Sequence, residues 1–335
     1  MSNVKGQSSL AKISVIVPVK DEADSIRQLL QGLSAQTYQP SEIVITDGGS
    51  MDGTREIIRD YQSSSAIPIV LIETEDALPG RGRNLAIARA ANEWIASIDA
   101  GIRPRPDWLH HLIAAAEREP QAEVIYGVAR PITDTYFTEC AAITYLPGGG
   151  VRRSIASCLL RRAAWEKVGG FREDLRSGED LLFFQGIDAT GVPTRKCPEA
   201  VVLWELRPTL AGTFRRFAAY SRSGIRAGLA REWQYNVSRL YLLMLIPLLA
   251  SWWFWPLLLA PVVILLVRAT RRIRAWYLAE SPSRVGREML NPLRVSTVAL
   301  IGLVIDLATL FGMWLWFRHD RFEPRGKVVK GDATG

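Results

Sequence analysis

Several acidic residues in this sequence stand directly after short apolar segments, where they could bind a metal or a phosphate group. The stretch SIDAG, for example, places Asp99 and then Gly101 after the apolar residues 94–98. A magnesium ion is often held by one or two carboxylates together with phosphates and waters. Asp99 could therefore hold Mg²⁺ or Mn²⁺ against a diphosphate even though Gly101 supplies no second carboxylate, and we favour this interpretation.

Arginines offer a second way to neutralise a diphosphate, because a guanidinium group can bind phosphate oxygens in pairs. The net charge of +7 rests mainly on arginine, since only 7 of the 41 basic residues are lysine. Candidates for this role are Arg152, Arg153, Arg207, Arg215 and Arg216. No recognised nucleic-acid-binding motif accompanies the arginines, so we expect no nucleic-acid partner.

Two glycine-containing motifs have both a binding and a purely structural interpretation. In TDGGSMDGT, Asp47 could accept a hydrogen bond from a nucleotide base, with Gly49 allowing the backbone to approach the ligand. The alternative is an ordinary turn in which Asp52 caps the next helix. In GRGRN, arginines at a helix start oppose the helix dipole, which favours a phosphate partner over a solvated turn.

The GED motif, residues 178–180, places Glu179 and Asp180 at the start of an apolar helix. An aspartate in that position can simply cap the helix. In a cleft it could instead act as a general base, provided that its pKa and its reach suit the proton to be taken. Spacing alone favours the cap.

These side chains must be positioned by an alternation of strands and helices. The predicted strands are residues 13–19, 42–46, 67–73, 94–98 and 124–129, with helical apolar spacing between them. Such alternation predicts an α/β fold with a mainly parallel sheet covered by helices. Ligands bind at the carboxyl ends of the strands of such sheets. The polar and glycine residues described above follow these strand ends, so we expect them to line one site.

The order of these motifs resembles that of the family-2 glycosyltransferases of the GT-A fold. The motifs are VPVKDE, TDGGSMDGT, GRGRN, SIDAG with PDWL, and VGGF followed by GED, over roughly residues 13–225. The resemblance implies a nucleotide-diphosphosugar transferase fold, with Asp180 as the catalytic base and Glu179 as a second catalytic residue beside it. Residues implied to bind the nucleotide sugar are Pro18, Glu22, Asp47, Gly49, Arg83 and Asp99.

The sequence departs from the family pattern at the metal site. The Asp-x-Asp motif of the family reads Asp99-Ala100-Gly101 here, and the segment VVLWELRPT lacks the histidine that members often carry after the ED helix. The resemblance still implies a divalent cation, Mg²⁺ or Mn²⁺, with Asp99 as its carboxylate ligand. The two departures also leave open a non-catalytic module that binds nucleotide sugars. A nucleotidyltransferase is disfavoured, because the chain lacks an early glycine-rich loop bearing a lysine.

Two apolar segments near the C-terminus are long enough to cross a membrane. Residues 240–267 carry no charge over 28 positions, and residues 295–317 carry one, Asp306, over 23. A span needs about 20 apolar residues. The predicted organisation is a disordered tail (1–12), a catalytic domain (13–230), a membrane region (231–320) and a polar tail (321–335).

The number of crossings is left open by the charges. The loop 268–294 has seven arginines and two glutamates, which favours the cytosolic side. With a cytosolic catalytic domain, the first apolar segment would then enter and leave by the same face, through a hairpin at 251–256. Two crossings with the basic loop outside would be simpler but oppose the charge bias. We favour two hydrophobic elements with an interfacial basic loop and leave the side of the C-terminus unassigned. The basic, aromatic stretch 214–233 suits anionic headgroups.

We therefore expect an inverting glycosyltransferase anchored in the cell membrane as a multi-pass protein. The catalytic domain is expected to be cytoplasmic, because the polar N-terminus lacks a secretory apolar segment and the three cysteines suit a reducing compartment. The expected partners are a nucleotide-diphosphosugar donor, the bilayer, and a lipid-linked or membrane-proximal acceptor. The sequence does not identify the sugar or the acceptor.

Overall fold

The computed structural model describes residues 12–146, 153–231 and 233–322 of the chain. The predicted disordered tail, apart from Lys12, lies outside the described residues. So does the polar tail, apart from Arg321 and Phe322, and so does Arg152.

The strands of the described residues form one mixed, eight-stranded sheet. They are β1 (Ile13–Val19), β2 (Glu42–Asp47), β3 (Ile69–Glu73), β4 (Trp94–Ser97), β5 (Ile102–Pro104), β6 (Val124–Ile132), β7 (Cys158–Arg161) and β8 (Thr194–Glu205). Their spatial order is β3-β2-β1-β4-β7-β6-β8-β5. The first four are parallel, β7 is antiparallel to both β4 and β6, β6 is parallel to β8, and β5 is antiparallel to β8. The parallel half places the carboxyl ends of β1, β2 and β4 side by side.

Helices cover both faces of this sheet and continue beyond it. They are α1 (Ile26–Ser34), α2 (Thr54–Ser64), α3 (Pro79–Arg89), α4 (Trp108–Arg118), α5 (Tyr136–Tyr145), α6 (Arg162–Val168), α7 (Glu179–Thr190), α8 (Leu210–Arg226), α9 (Gln234–Ala250), α10 (Ala260–Glu280), α11 (Val285–Met289) and α12 (Pro292–His319). Strand β1 shows why: Val15 and Val17 pack in one core with residues of α1 and α4, whereas Ile16 packs in a second core with residues of α3 and α7. A strand buried on both faces reads as a continuous apolar run, as β1 does.

The α/β fold class is confirmed, but some element boundaries differ from the sequence prediction. The helix expected over residues 84–92 begins at Pro79, because proline suits the first turn of a helix. GRGRN therefore lies inside α3 and not before it. Strands β5, β7 and β8 were not predicted, since β5 and β7 have only three and four residues and β8 begins with charged positions.

The two predicted membrane segments differ in the structure. The apolar run 240–267 is divided by a turn and a 3₁₀ helix over residues 251–259, leaving α9 and the apolar start of α10 as separate, contacting helices. Among the described helices, α12 alone is long and apolar enough to cross a membrane. The expectation of two segments of spanning length is thus not supported. Helix α12 also packs against α5, α8, α9 and α10, with Ile301 and Ile305 in a core shared with α5 and α10.

Candidate active site

The candidate site lies at the carboxyl ends of the parallel strands. Val19 at the end of β1 is paired with Asp47 at the end of β2, and Ile16 of β1 is paired with Ser97 of β4. The loops that follow these strands therefore share one edge of the sheet. Glu22 and Asp99 belong to two of these loops. Pro18 is half-buried at the same edge, beneath Gly82 of α3.

Asp47 is fully buried and held in one orientation by its own loop. Its Oδ1 accepts hydrogen bonds from the backbone N–H groups of Gly49 and Ser50, both at 3.0 Å, and from Arg55 Nε at 2.6 Å. Burial by itself raises the pKa of Asp47, but the hydrogen bonds from Ser50, Arg55 and Gly49 outweigh burial and hold that pKa below its usual value. Among the described residues, Oδ2 has no hydrogen-bond partner. An ionised, buried oxygen at this edge is therefore left without a hydrogen-bond donor.

The glycine pair after Asp47 is required by packing. A Cβ at Gly48 would lie 2.3 Å from the carbonyl oxygen of Ala77, and a Cβ at Gly49 would lie 2.1 Å from that of Glu75. Gly49 also has φ +90°. The loop between β3 and α3 thus approaches these two positions so closely that no side chain fits. Asp52, the alternative helix cap, accepts from Thr54 N at 3.1 Å and from Ala23 N at 3.0 Å, so it joins the loops after β1 and β2.

Arg83 joins two of the candidate site's carboxylates. Its side chain is 3% exposed, with Nη1 donating to Glu179 Oε1 at 2.7 Å and Nη2 donating to Asp99 Oδ1 at 2.5 Å. Burial alone would lower the pKa of Arg83, but Asp99 and Glu179 outweigh burial and raise it. The sequence predicted phosphate contact for this arginine, and the structure gives it carboxylate partners. We call Arg83, Asp99, Glu179 and Asp180 the Arg83 cluster.

Asp180 is a partly exposed carboxylate of this cluster, next in the chain to the buried Glu179. Burial and, next, the neighbouring Glu179 raise the pKa of Asp180 to about 6, although Arg83 opposes the change. Helix α7 has Gly178 at its N-cap with φ +90° and no side-chain cap, so Asp180 does not have the capping role that its spacing favoured. A carboxyl group with a pKa near 6 is suited to accept a proton near neutral pH. Glu179 is buried and pairs with Arg83, which makes it a positioning group.

Asn84, which sequence reasoning passed over, connects α3 to the VGGF loop. Its Oδ1 accepts from Phe171 N and from Trp165 Nε1, both at 2.9 Å, while its Nδ2 donates to the Phe171 carbonyl at 2.9 Å. Phe171 in turn stacks on Phe183 of α7, with ring centroids 4.1 Å apart, and lies under the Arg83 guanidinium. The Arg-Asn pair in GRGRN is the sequence feature that could have indicated this role. Arg83 binds the carboxylates, and Asn84 binds the loop that leads to α7.

Gly101 stands where the metal motif would carry its second carboxylate. Its φ is +76°, and a Cβ built there would lie 3.3 Å from Glu22 Oε2. The Glu22 carboxylate is held by Ser25, whose hydroxyl donates to Oε2 at 2.5 Å. Glu22 thus supplies a carboxylate next to the position from which the sequence lacks one.

The described residues contain no group of three or more His, Cys, Asp or Glu side chains arranged around a metal site. Asp99 is 35% exposed, and one of its oxygens already accepts from Arg83. This donor set fits a cation held largely by substrate phosphates, with a single protein carboxylate, and does not fit a cation bound by protein alone.

Two of the arginines that the sequence offered as diphosphate partners have partners within the protein: Arg153 pairs with Asp188, and Arg216 donates to Tyr220.

A mixed sheet covered by helices, with acidic side chains at the carboxyl ends of its parallel strands, is the architecture of the GT-A class of nucleotide-sugar transferases. Residues 14–174 match the sequence model of Glycosyl transferase family 2 and belong to that family. The chain spans 60% and 32% of the lengths of the first two curated relatives that it matches. The fold class and the family resemblance predicted from the sequence are both confirmed.

Individual relatives agree with this assignment. Glycosyltransferase AglE of Haloferax volcanii is 28% identical over 184 residues, which are 52% of this chain and 60% of that protein. Poly(ribitol-phosphate) beta-N-acetylglucosaminyltransferase TarS of Staphylococcus aureus is 28% identical over 183 residues, covering 52% of this chain and 32% of TarS. The solved structure of mannosyltransferase PcManGT from Pyrobaculum calidifontis, in complex with GDP-Man and Mn²⁺, superposes with a TM-score of 0.57 at 22% identity, over 90% of this chain and 87% of that one. At this identity, the superposition on PcManGT shows that the two proteins share a fold.

Proposed function

We propose that this protein is an inverting glycosyltransferase that moves a sugar from a nucleotide diphosphate to a lipid-linked or membrane-proximal acceptor. The observation that carries the proposal is the Arg83 cluster, in which Asp180 has a pKa of about 6 next to the arginine-bound pair Asp99 and Glu179. The family match and this raised pKa favour catalysis over the non-catalytic module considered from the sequence.

The donor would lie along the carboxyl edge of the parallel strands. Asp47 offers an ionised Oδ2 to a base N–H, and Asp99 lies one loop away toward the diphosphate. Glu22 and Pro18 border the same edge. One solved protein of the same fold supports this class of donor, since PcManGT was solved with GDP-Man. Base and sugar preference depend on the shape of this edge, so both are to be measured.

The proposed reaction is one in-line displacement. The acceptor oxygen donates an electron pair to the anomeric carbon, the bond to the diphosphate oxygen breaks, and the diphosphate leaves with that bonding pair. Asp180 takes the proton of an acceptor hydroxyl, as a base whose pKa lies near 6 can do close to neutral pH. If the acceptor is itself a phosphate, no proton needs to be removed and Asp180 would only orient it.

A divalent cation, if bound, would offset the charge of the departing diphosphate, with Asp99 as its protein ligand. Asp99 already accepts from Arg83 and retains exposed surface, so it can bridge arginine and cation. Transfer should therefore be measured after treatment with chelator and after return of Mg²⁺ or Mn²⁺. Full turnover in chelator would exclude a cation from the reaction.

The membrane-proximal acceptor is proposed from the C-terminal helices. Helix α12 has the length and composition of a span, and α9 exposes leucines along its length. We place the catalytic domain on the cytosolic side of the cell membrane, with basic residues between α10 and α12 at the headgroups. Protease protection of tagged membrane vesicles would report the side.

The decisive experiment measures release of nucleoside diphosphate with a membrane extract as acceptor and a panel of nucleotide sugars as donors. Asp180→Asn should abolish release, whereas Asp188→Asn, an exposed aspartate of the same helix, should leave it unchanged. Retained activity in Asp180→Asn would exclude the general-base role and point to a phosphate acceptor. No release with any donor would favour the non-catalytic module.

A further inference from the structure

A cavity of about 550 Å³ lies between α9, α10 and α12, in a part of the molecule that the proposed reaction does not use. The side chains of Arg239, Arg268, Arg272 and Asp306 line it together with apolar residues. These are Trp233, Val237, Leu240, Leu243 and Ile305. The cavity therefore combines cationic and apolar walls.

The charges in this cavity do not balance. Three guanidinium groups face one carboxylate, which leaves a surplus of two positive charges among the lining residues. Arg268 donates to Asp306 Oδ2 at 2.6 Å, so this carboxylate is already paired. Within residues 12–146, 153–231 and 233–322, neither Arg239 nor Arg272 has a carboxylate within ion-pair distance. Arg272 is partly buried, and a cation partly withdrawn from water is stabilised by an anion, so the cavity is suited to one.

Arg272 is set in place by the helix packed against it. A Cβ at Gly302 of α12 would lie 2.6 Å from Arg272 Nη1, so the guanidinium occupies space that only glycine leaves open. The guanidinium is therefore closely packed where α10 meets α12. The arginine is thus held ready for a ligand, which lowers the entropy lost on binding.

The surroundings of the cavity indicate where its ligand comes from. The α9–α10 segment exposes a contiguous series of large apolar side chains, and the apolar start of α10 is followed by four arginines within seven residues, 268–274. Exposed by more than half are Leu242, Leu243, Ile246, Leu249, Trp252, Trp253, Phe254, Trp255, Leu258, Leu259, Val262 and Val263. An apolar surface of this extent next to a row of cations is typical of contact with an anionic bilayer.

We infer that this cavity binds the phosphate headgroup of an anionic membrane phospholipid. Arg239, Arg268 and Arg272 hold the phosphate, and the acyl chains lie along Leu240 and Leu243 toward the exposed apolar surface. The bound lipid ties α9, α10 and α12 together at the membrane. This site is separate from the Arg83 cluster, so it does not depend on the identity of the sugar acceptor.

The test measures binding of dihexanoyl phosphatidylglycerol to the full-length protein in a neutral detergent, by titration calorimetry. Arg272→Gln should weaken binding about tenfold or more, because it removes a charge-assisted contact. Arg271→Gln, which changes the same charge on an exposed neighbour outside the cavity, should stay within about twofold of wild type. Arg239→Gln provides a second cavity variant. Because the Arg239 side chain is exposed, this substitution should not disturb folding, so a loss of lipid binding would report the contact itself.

Three results would overturn the inference. Equal losses in Arg271→Gln and Arg272→Gln would mean general attraction to a basic surface. Glycerol 3-phosphate binding as tightly as the phospholipid would make the ligand a soluble phosphate. Binding of a polyprenyl phosphate without binding of phosphatidylglycerol would assign the cavity to a lipid-linked acceptor. Because sugar transfer is not part of this measurement, its outcome is independent of the proposed reaction.

Discussion

Glu179 accepts a hydrogen bond from Arg83 at 2.7 Å, although the two residues stand 96 positions apart in the chain. Both side chains are almost fully buried. The contact fixes the start of α7 against α3, and the second arm of Arg83 fixes both to Asp99 after β4. One guanidinium therefore sets the positions of three carboxylates relative to one another, including Asp180 next to Glu179.

Removing this guanidinium should destabilise the protein strongly. Arg83→Gln leaves Glu179 buried without its cation and brings three carboxylates together unneutralised, so we expect a loss of about 3–5 kcal/mol in the free energy of unfolding. Urea denaturation followed by circular dichroism measures it. Arg81→Gln changes an exposed arginine two residues earlier on α3 and should alter the free energy of unfolding by less than about 0.5 kcal/mol. Similar losses in both variants would contradict the bridging role.

Asp180 should make the protein less stable above pH 6 than an asparagine at the same position. The folded-state pKa is about 6, above the ordinary value of 3.8, so the folded protein binds this proton more tightly than the unfolded chain does. Binding of this proton therefore adds to the free energy of unfolding in full below about pH 4, and the contribution is lost as the pH rises from about 4 to about 6. Asp180→Asn should therefore raise stability at pH 7.5, by about 1–2 kcal/mol after allowing for partial exposure. The gain should vanish near pH 4, which denaturation curves at a series of pH values can check.

The same pKa predicts the pH dependence of transfer. A general base works only when deprotonated, so the initial rate with a hydroxyl acceptor should fall about tenfold per pH unit below pH 6. A rate that stays constant down to pH 5 would show that Asp180 does not take the proton. Circular dichroism over the same pH range controls for unfolding.

Asp47 should determine affinity for the nucleotide base. Asp47→Asn keeps the side-chain shape but removes the charge that Arg55 supports, so the affinity for UDP or GDP, whichever binds, should fall about tenfold or more. Titration calorimetry measures it. Asp60→Asn, an exposed aspartate on α2 that pairs with Arg27, should leave affinity unchanged. Unaltered binding by Asp47→Asn would remove Asp47 from the nucleotide site.

Restoring the absent carboxylate should destabilise the protein unless a cation offsets the added charge. Gly101→Asp forces a side chain into a backbone with φ +76° and brings its carboxylate against Glu22, so stability without metal should fall by about 1–2 kcal/mol. Thermal denaturation with and without MnCl₂ should show that the cation reduces this deficit.

Gly53→Ala is the matched control for that change. Gly53 has φ +93° but open space around it, so alanine there reports backbone strain alone. Gly101→Ala should cost more than Gly53→Ala, because it adds the crowding against Glu22. If Gly101→Asp is as stable as wild type without metal, Glu22 does not occupy the space next to that position.

Much of the site could be predicted from local signals. Asp47 and Asp99 follow short apolar runs, and the carboxyl ends of parallel strands meet at one edge, so their proximity followed from strand order alone. Asp180 was less clear from spacing, since an acid at a helix start usually caps it. The structure separated these possibilities because Gly178 with φ +90° holds the N-cap position.

The membrane region shows the opposite case. An uncharged run of 28 residues satisfies the length rule for a span, and the hairpin considered at 251–256 was only one of two alternatives that the sequence left open. The turn and 3₁₀ helix at 251–259 do divide it, with Pro256 and Pro261 at the starts of the elements that follow. Prolines were visible in the sequence, but their effect depends on how α9 and α10 pack.

The sequence by itself determined which residues end the strands, because alternation of apolar strands and amphipathic helices is a local pattern that follows from burial. It also determined that acids and glycines would gather at one edge. Only the tertiary structure decided the partners: Arg83 with Glu179, Glu22 next to Gly101, and Arg272 against Gly302. Each of these contacts joins elements distant in the chain, so it depends on how those elements pack and not on the spacing of residues within either of them.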